Sequence, residues 1–455
     1  MNRIERGFLT TALLLAGGLA GLAAEKKPLT VDAAVSLAVS HSRGLDAARA
    51  RTNEAAARTR EVSAARLPAL RFAGGYTRLS EVPPFEISLP FLSNLSPSMP
   101  TTFVVSPVYF NNYSLRLNLQ QPVFTGFRLK KAAEASRLVE QASLQDGLKD
   151  QTEIETGART AYWNAYRAAE LLTVAEENRS RIEVHLRQAA DLLAQGMATR
   201  NDVLKVQAQL ANAELLRLDG RTGVQTSQVL LASLLGLPLD TEFDFQTTGR
   251  DIVLDPAGGI EGGTTLEELL AKARTARPDL KSMEMRARAA AAGVSMARSG
   301  ALPQVFLAGN YYYLRPNARL LPAQDKFYAT WDLGLTISLD IWNGNQSGLQ
   351  TRQAQAQRIQ VEDALALLQE QVALEVTQAW LSVRQARDRI AAAAAAVVQA
   401  EENLRVTDDR FREGVALSSD VLDAELLLLQ AKTSRTQALV DLELARIRLR
   451  RSAAA

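Results

Sequence analysis

The chain has 455 residues, 47% of them hydrophobic and 22% charged, enough to bury extensive apolar surface. Its 52 Lys+Arg against 50 Asp+Glu leave a formal net charge of +2, which argues against a nucleic-acid binder working through a basic surface. It has no cysteine and two histidines, His41 and His185, far apart. Disulfide frameworks, thiolate chemistry and metal or haem sites built from Cys or His drop out, and neither a cofactor nor a metal is expected.

Arg3 and Arg6 open the chain, Phe8–Leu22 is apolar or small, and Gly21-Leu22-Ala23-Ala24 offers small residues for cleavage before Lys26-Lys27. Residues 1–24 are expected to be a secretory signal peptide. The alternative, an N-terminal anchor, needs roughly 20 apolar residues, more than this run supplies. No later stretch reads as a transmembrane helix, so a membrane-inserted form would have to use strands.

The rest of the chain is written twice. Thr30, Ala38, Leu45, Arg51 and Leu67-Pro68 meet Thr265, Ala273, Leu280, Arg286 and Leu302-Pro303 at a constant offset of 235. Further on the offset is 218: Phe124-Thr125-Gly126 meets Trp342-Asn343-Gly344, Gly196 meets Gly414, and Asp202-Val203-Leu204 meets Asp420-Val421-Leu422. The offsets differ by 17 residues, one extra loop between Leu79 and Val108. This reads as an internal duplication. Repeats at 25–239 and 264–455 are joined by a linker, 240–263, that carries Gly258-Gly259 and Gly262-Gly263.

Each repeat opens with a helical stretch, Val31–Arg66 or Leu266–Ala301. A proline, two alternating stretches and a polar loop follow. A very long helical pattern comes next, Arg128–Gln195 or Asn345–Glu413, and after Gly196 or Gly414 a shorter helix returns, Asp202–Leu235 or Ser419–Arg451. The two short helices of a repeat together match the long one, which at 1.5 Å per residue measures about 100 Å. Ala289–Ala292 and Ala391–Ala396 allow helices to approach closely.

The alternating stretches are Leu70–Leu79, Tyr113–Gln120, Gln304–Leu314 and Trp331–Ile341. Tyr113, Leu115, Leu117 and Leu119 alternate with Ser114, Arg116, Asn118 and Gln120, the two-residue period of a strand with one apolar and one polar face. Four such strands fit a membrane β-barrel with lipid outside and water inside, and Trp331, Trp342 and Tyr311-Tyr312-Tyr313 suit its aromatic girdles. Four strands cannot close a barrel, and lipid tolerates no open edge, so a homo-oligomer is required. The alternative for the strands is a soluble antiparallel sheet with one buried face.

The hairpin turns Gly196-Met197-Ala198-Thr199-Arg200-Asn201-Asp202-Val203-Leu204 and Gly414-Val415-Ala416-Leu417-Ser418-Ser419-Asp420-Val421-Leu422-Asp423-Ala424, with Gln121-Pro122-Val123-Phe124-Thr125-Gly126 and Leu339-Asp340-Ile341-Trp342-Asn343-Gly344, resemble the TolC-type outer-membrane efflux proteins. The resemblance covers essentially the whole mature chain. It implies an α+β fold: a homotrimer whose four strands per subunit make a 12-stranded barrel in the outer membrane, continued by a periplasmic helical coiled-coil barrel. It also implies a periplasmic adaptor and an inner-membrane transporter as partners, in efflux or type I secretion.

Asp420 and Asp423 lie three apart in a first helical turn and share a face. Lining a threefold tunnel, they would form two carboxylate rings, a cation-preferring constriction, and the resemblance carries that role onto both. Helix capping is the other reading for Asp202 and Asp420. Asp423 is the better pore candidate, because its counterpart in the first repeat is Lys205. Gly196, Asp202, Val203, Leu204, Gly414, Val421 and Leu422 are the candidates for adaptor contact at the hairpin tips, with packing inside the chain as the alternative. The family pattern implies an arginine and a tyrosine that latch the tip, and here Ala416 and Phe411 stand in their places, with Arg200 and Arg412 nearby.

Glu176-Glu177 and Glu401-Glu402 point about 100° apart on their helices and read as solvated faces. No nucleophile, base and orienter emerge, so catalysis is not expected. Besides an exit duct, the sequence leaves a periplasmic coiled-coil spacer without a pore, and a diffusion porin for which the long helices would be superfluous.

Overall fold

A computed structural model describes residues 26–83, 85–94, 98, 100–106, 108–246 and 265–454. The expected signal peptide and the glycine pairs of the linker lie outside those residues. In chain order the described elements are β1 (Lys27–Leu29), α1 (Val31–His41), α2 (Arg43–Ala64), β2 (Ala69–Arg78), β3 (Phe85–Ser88), β4 (Thr102–Ser106), β5 (Asn111–Thr125), α3 (Arg128–Ala194), α4 (Arg200–Leu235) and β6 (Phe243–Phe245). Then come α5 (Leu266–Ala276), α6 (Pro278–Arg298), β7 (Gln304–Arg315), β8 (Tyr328–Ser338), α7 (Gln346–Arg412) and α8 (Ser418–Ala453). They fall into two compact units, each drawn from both halves of the sequence. One lies within Met1–Ser42, Ile154–Gly259 and Val383–Ile447, the other within Arg43–Glu153, Ile260–Ser382 and Arg448–Ala455.

In the second of these units the main sheet is antiparallel in the order β2–β5–β7–β8. Its register puts Leu70, Phe72, Gly74 and Tyr76 opposite Leu119, Leu117, Leu115 and Tyr113. Leu117 and Leu115 in turn face Tyr311 and Tyr313, and Tyr311 faces Trp331. Because side chains alternate along a strand, all these project from one face, and they are exposed. On the other face Asn118 donates to Asn310 (2.6 Å), which donates to Asp332 (2.7 Å), and Arg319 donates to the same carboxylate (2.7 Å). The sheet thus has an exposed apolar face, uncovered among the described residues, and a hydrogen-bonded polar face.

Strand limits depart from the sequence reading in two places. β5 runs on to Thr125, past Pro122, and the ladder accommodates the missing proline N–H with a bulge between Pro122 and Phe124. β8 instead stops at Ser338, so Leu339-Asp340-Ile341 leave the ladder. The extra loop of the first repeat carries a hairpin of its own, β3 with β4, which its proline-rich composition did not announce.

The opening helix of each repeat is broken, where a single helix was expected. Arg277 is extended (φ −61°, ψ 126°) because Pro278, at the first position of α6, bars its predecessor from the helical region. Ser42 breaks the first repeat at the corresponding point without a proline (ψ 108°). The buried Arg277 side chain donates to Asp279 (2.6 and 3.0 Å), Glu375 (2.7 Å) and the Ser452 carbonyl (3.1 Å). By contrast α3 passes through Gly147 and Gly157 unbroken. A glycine disfavours a helix interior by about 1 kcal/mol, which 67 residues of helix absorb.

The other unit has its core where α1 packs on α3, α4 and α8. Leu29, Ala34, Ala38, Tyr162, Leu231, Leu235 and Val440 are buried together there. The Tyr162 ring meets Trp163 and Phe245 edge-on at 5.6 and 5.2 Å, and its hydroxyl donates to the Leu29 carbonyl (3.2 Å). β1 and β6 pair in parallel, so the first residues of the expected linker form a strand.

Candidate functional site

The same unit contains both hairpin turns, and their backbones match. Gly196 N–H donates to Leu193 O (3.0 Å) and Met197 N–H to Leu192 O (2.9 Å). Gly414 N–H donates to Phe411 O (3.0 Å) and Val415 N–H to Arg410 O (2.9 Å). Gly196 and Gly414 have φ of +75° and +74°, the left-handed stop that a residue with Cβ adopts only at a penalty. Both turns set the return helix off with an aspartate in its first turn.

The aspartates do different work. Asp202 accepts from the Thr199 N–H (3.0 Å) and hydroxyl (2.6 Å), while its own N–H donates to the Thr199 hydroxyl (3.3 Å). These bonds complete a capping box, and they hold its carboxyl below the usual range. At the second turn Leu417 stands where Thr199 does, so Asp420 accepts only from the Leu417 N–H (3.0 Å). Asp420 and Asp423 are both exposed, one helical turn apart. Among the described residues neither enters an ion pair.

The apolar candidates divide. Val421 is 2% exposed and packs inside the chain, because its helical spacing to Ala424, Glu425 and Leu428 puts it on the inner face of α8. Val203 and Leu422 are half-buried against the cluster of Ile182, Ala189, Val206 and Ala213. Of the four apolar residues only Leu204 is exposed. Met197, Val415 and Leu417, which sequence reasoning passed over, are exposed as well.

Side chains from α3 bind the two return helices unequally. Arg179 donates to Glu214 of α4 (2.9 Å), a pair open to solvent on both sides. Two residues on, Arg181 donates to Glu425 of α8 (2.9 Å), whose side chain is 7% exposed. Burial pushes the Glu425 carboxyl up, against the pull of Arg181. Lys432 of α8 donates to Glu177 (2.9 Å), and that bond holds the Glu177 carboxyl down. Three of the four glutamates of the acidic pairs thus serve half-exposed ion pairs: Glu177 and Glu401 meet Lys432, and Glu402 meets Arg405.

At the second tip the His185 ring is buried. Its Nε2 lies 3.1 Å from the hydroxyl of buried Ser418, the first residue of α8. Its ring packs at 4.9 Å on Phe411, the residue standing where a tyrosine was expected. Arg412 pairs with Asp408 on its own helix (2.5 Å). A shallow groove of about 450 Å³ runs along Arg181, His185, Asp408 and Glu425. Nothing in the sequence marked His185, since its partners lie more than 220 residues away.

Among the described residues no group of His, Asp and Glu is placed to hold a metal, and no helix is long and apolar enough to cross a membrane. The sequence profile of the Outer membrane efflux protein family matches residues 34–237 and 269–455. The outer membrane efflux protein BepC of Brucella suis is 21% identical over 337 residues, 74% of this chain and 71% of that protein. The outer membrane protein TolC of Vibrio cholerae is 24% identical over 346 residues, 74% of this chain and 76% of that one. In fold, the crystal structure of VceC, an outer membrane protein of Vibrio cholerae, superposes with a TM-score of 0.76 at 21% identity, over 93% of this chain and 96% of that one. With both halves of its length matched, the chain belongs to the outer membrane efflux protein family and is an outer-membrane exit channel for efflux.

Proposed function

We propose that three copies of the chain pool their sheets into one 12-stranded barrel in the outer membrane. Below it the paired long helices form a periplasmic coiled-coil duct. The observation that carries this reading is the four-stranded sheet. Its apolar face is bare, and its edge strands β2 and β8 have no partner among the described residues. Lipid against that face contributes about 1.5–3 kcal/mol per large side chain, and neighbouring sheets pair the edges. Helices of 67 residues, α3 and α7, give the duct its length. The equal lengths of α3 with α7, and of α4 with α8 at 36 residues, support the duplicated plan of two repeats.

In this reading Asp420 and Asp423 form the constriction, and Gly196, Gly414, Asp202 and Leu204 with exposed Met197, Val415 and Leu417 meet the helical hairpins of a periplasmic adaptor. Val203 and Leu422 shape the turn from behind. The adaptor links the duct to an inner-membrane transporter that supplies the energy. The chain itself acts as a passive conduit and catalyses nothing. Purified oligomer in planar bilayers tests this: it should need detergent for extraction and give small, cation-preferring channels. Detergent-free extraction with no conductance is the outcome a coiled-coil spacer requires and would refute the duct.

A further inference from the structure

We propose that His185 and Ser418 form a proton-sensitive tie that holds the second hairpin tip, with Asp420 and Asp423, against α3 at neutral pH and releases it on acidification. The inference rests on the duct reading for what the tip does, but the tie itself is a matter of local geometry. Ser418 is the first residue of α8 and lies two residues before Asp420. Its hydroxyl is buried and meets His185 Nε2 at 3.1 Å, so it anchors the start of α8 to α3. The other face of the tie is the Phe411 ring, from the last turn of α7. One imidazole therefore touches both arms of the second hairpin, immediately before and after the Gly414 turn.

The surroundings suit a neutral ring and penalise a charged one. His185 is 3% exposed, and its Nδ1 is buried without a hydrogen bond among the described residues. The charged groups that face it are already committed. From α3, Arg181 is paired with Glu425 of α8; from α7, Asp408 is paired with Arg412. Further along the groove, Lys432 of α8 meets Glu401 of α7, and Arg405 meets Glu402. A proton on His185 therefore finds no free counter-ion. Burial outweighs the opposite pull of Gln188 and Asp408 and holds the ring below its ordinary value of 6.5.

The sign follows from linkage. The tied tip binds this proton less tightly than a released tip with a hydrated imidazole, so acid favours release. The first hairpin has no such device, since Asn403 stands where His185 does and Arg200 where Ser418 does.

The test uses the full-length detergent-extracted oligomer, with hydrogen exchange of residues 411–424 referred to an unstructured peptide at each pH, and with bilayer conductance as an independent readout. Between pH 7.5 and 5.5 the wild type should lose protection at this segment, and its open probability should rise by up to about tenfold per subunit. His185→Gln keeps a hydrogen-bonding side chain without a titratable proton, and should abolish both responses while still forming oligomers. Ser418→Ala should loosen the segment already at pH 7.5. A segment that ignores pH in the wild type, or responds equally in His185→Gln, would overturn the tie and leave the duct standing. Acid loosening abolished by His185→Gln, in a protein that never conducts, would support the tie and sink the duct reading instead.

Discussion

The two hairpin tips share a backbone and differ in chemistry. Both turn at a left-handed glycine with the same pair of hydrogen bonds, yet the first tip closes on itself and the second is held from outside. Thr199 and Asp202 satisfy each other in a capping box, and Lys205 follows where the second tip has Asp423. The second tip replaces Thr199 with Leu417, so Asp420 is held by a single backbone N–H and Asp423 adds a second exposed carboxylate. What it lacks locally is supplied by α3, through the Arg181–Glu425 pair and the His185–Ser418 contact. The lesson is that two turns of matching backbone can carry different side-chain chemistry. The copy with two unneutralised carboxylates is the one suited to a cation-preferring constriction.

The difference can be broken most strongly at the ion pairs. Glu425→Ala leaves Arg181 only its longer contact to Glu177 (3.6 Å) and should destabilise the second tip by about 2 kcal/mol. Glu214→Ala, in a pair open to water, should have a far smaller effect. Local hydrogen exchange at 418–430 and 200–216 measures both, and equal losses would remove the asymmetry. The caps come next. Thr199→Ala should cost the start of α4 about 1 kcal/mol, and Leu417→Thr should rebuild the box and protect the start of α8. A Leu417→Thr tip no better protected than wild type would show that the missing hydroxyl does not explain the difference.

The smallest effect expected is a separation in pH. The Asp202 carboxyl is held below its ordinary value of 3.8, so its contribution is complete above that pH and is lost only as pH falls further. His185, held below 6.5, gives up its contribution as pH falls below that value. Between about pH 6.5 and pH 4 the first tip should therefore keep its protection while the second loses it. Simultaneous loss would contradict the assignment.

Periodicity made the strands, the long helices and both turns legible, because each depends on spacing within one segment. The apolar face of the sheet was readable from Leu115, Leu117 and Leu119 alone. The break at Arg277 was readable in principle from Pro278, but the matching break at Ser42 carries no such mark. β1 and β6 were missed because three-residue strands at opposite ends of a repeat leave no pattern. At the site, the shared face of Asp420 and Asp423 followed from helical spacing. The burial of Val421 and the tie of His185 to Ser418 did not, since they depend on which face of α8 meets α3 across more than 200 residues of chain.

The gate assignment is tested most directly by single-channel recording from the reconstituted oligomer with Asp420→Ala and Asp423→Ala combined, alongside Asp202→Ala. Asp420 and Asp423 as the constriction predict a larger conductance and weaker cation preference in the double variant, with Asp202→Ala conducting as wild type does. An unchanged conductance and ion selectivity in the double variant would contradict that assignment.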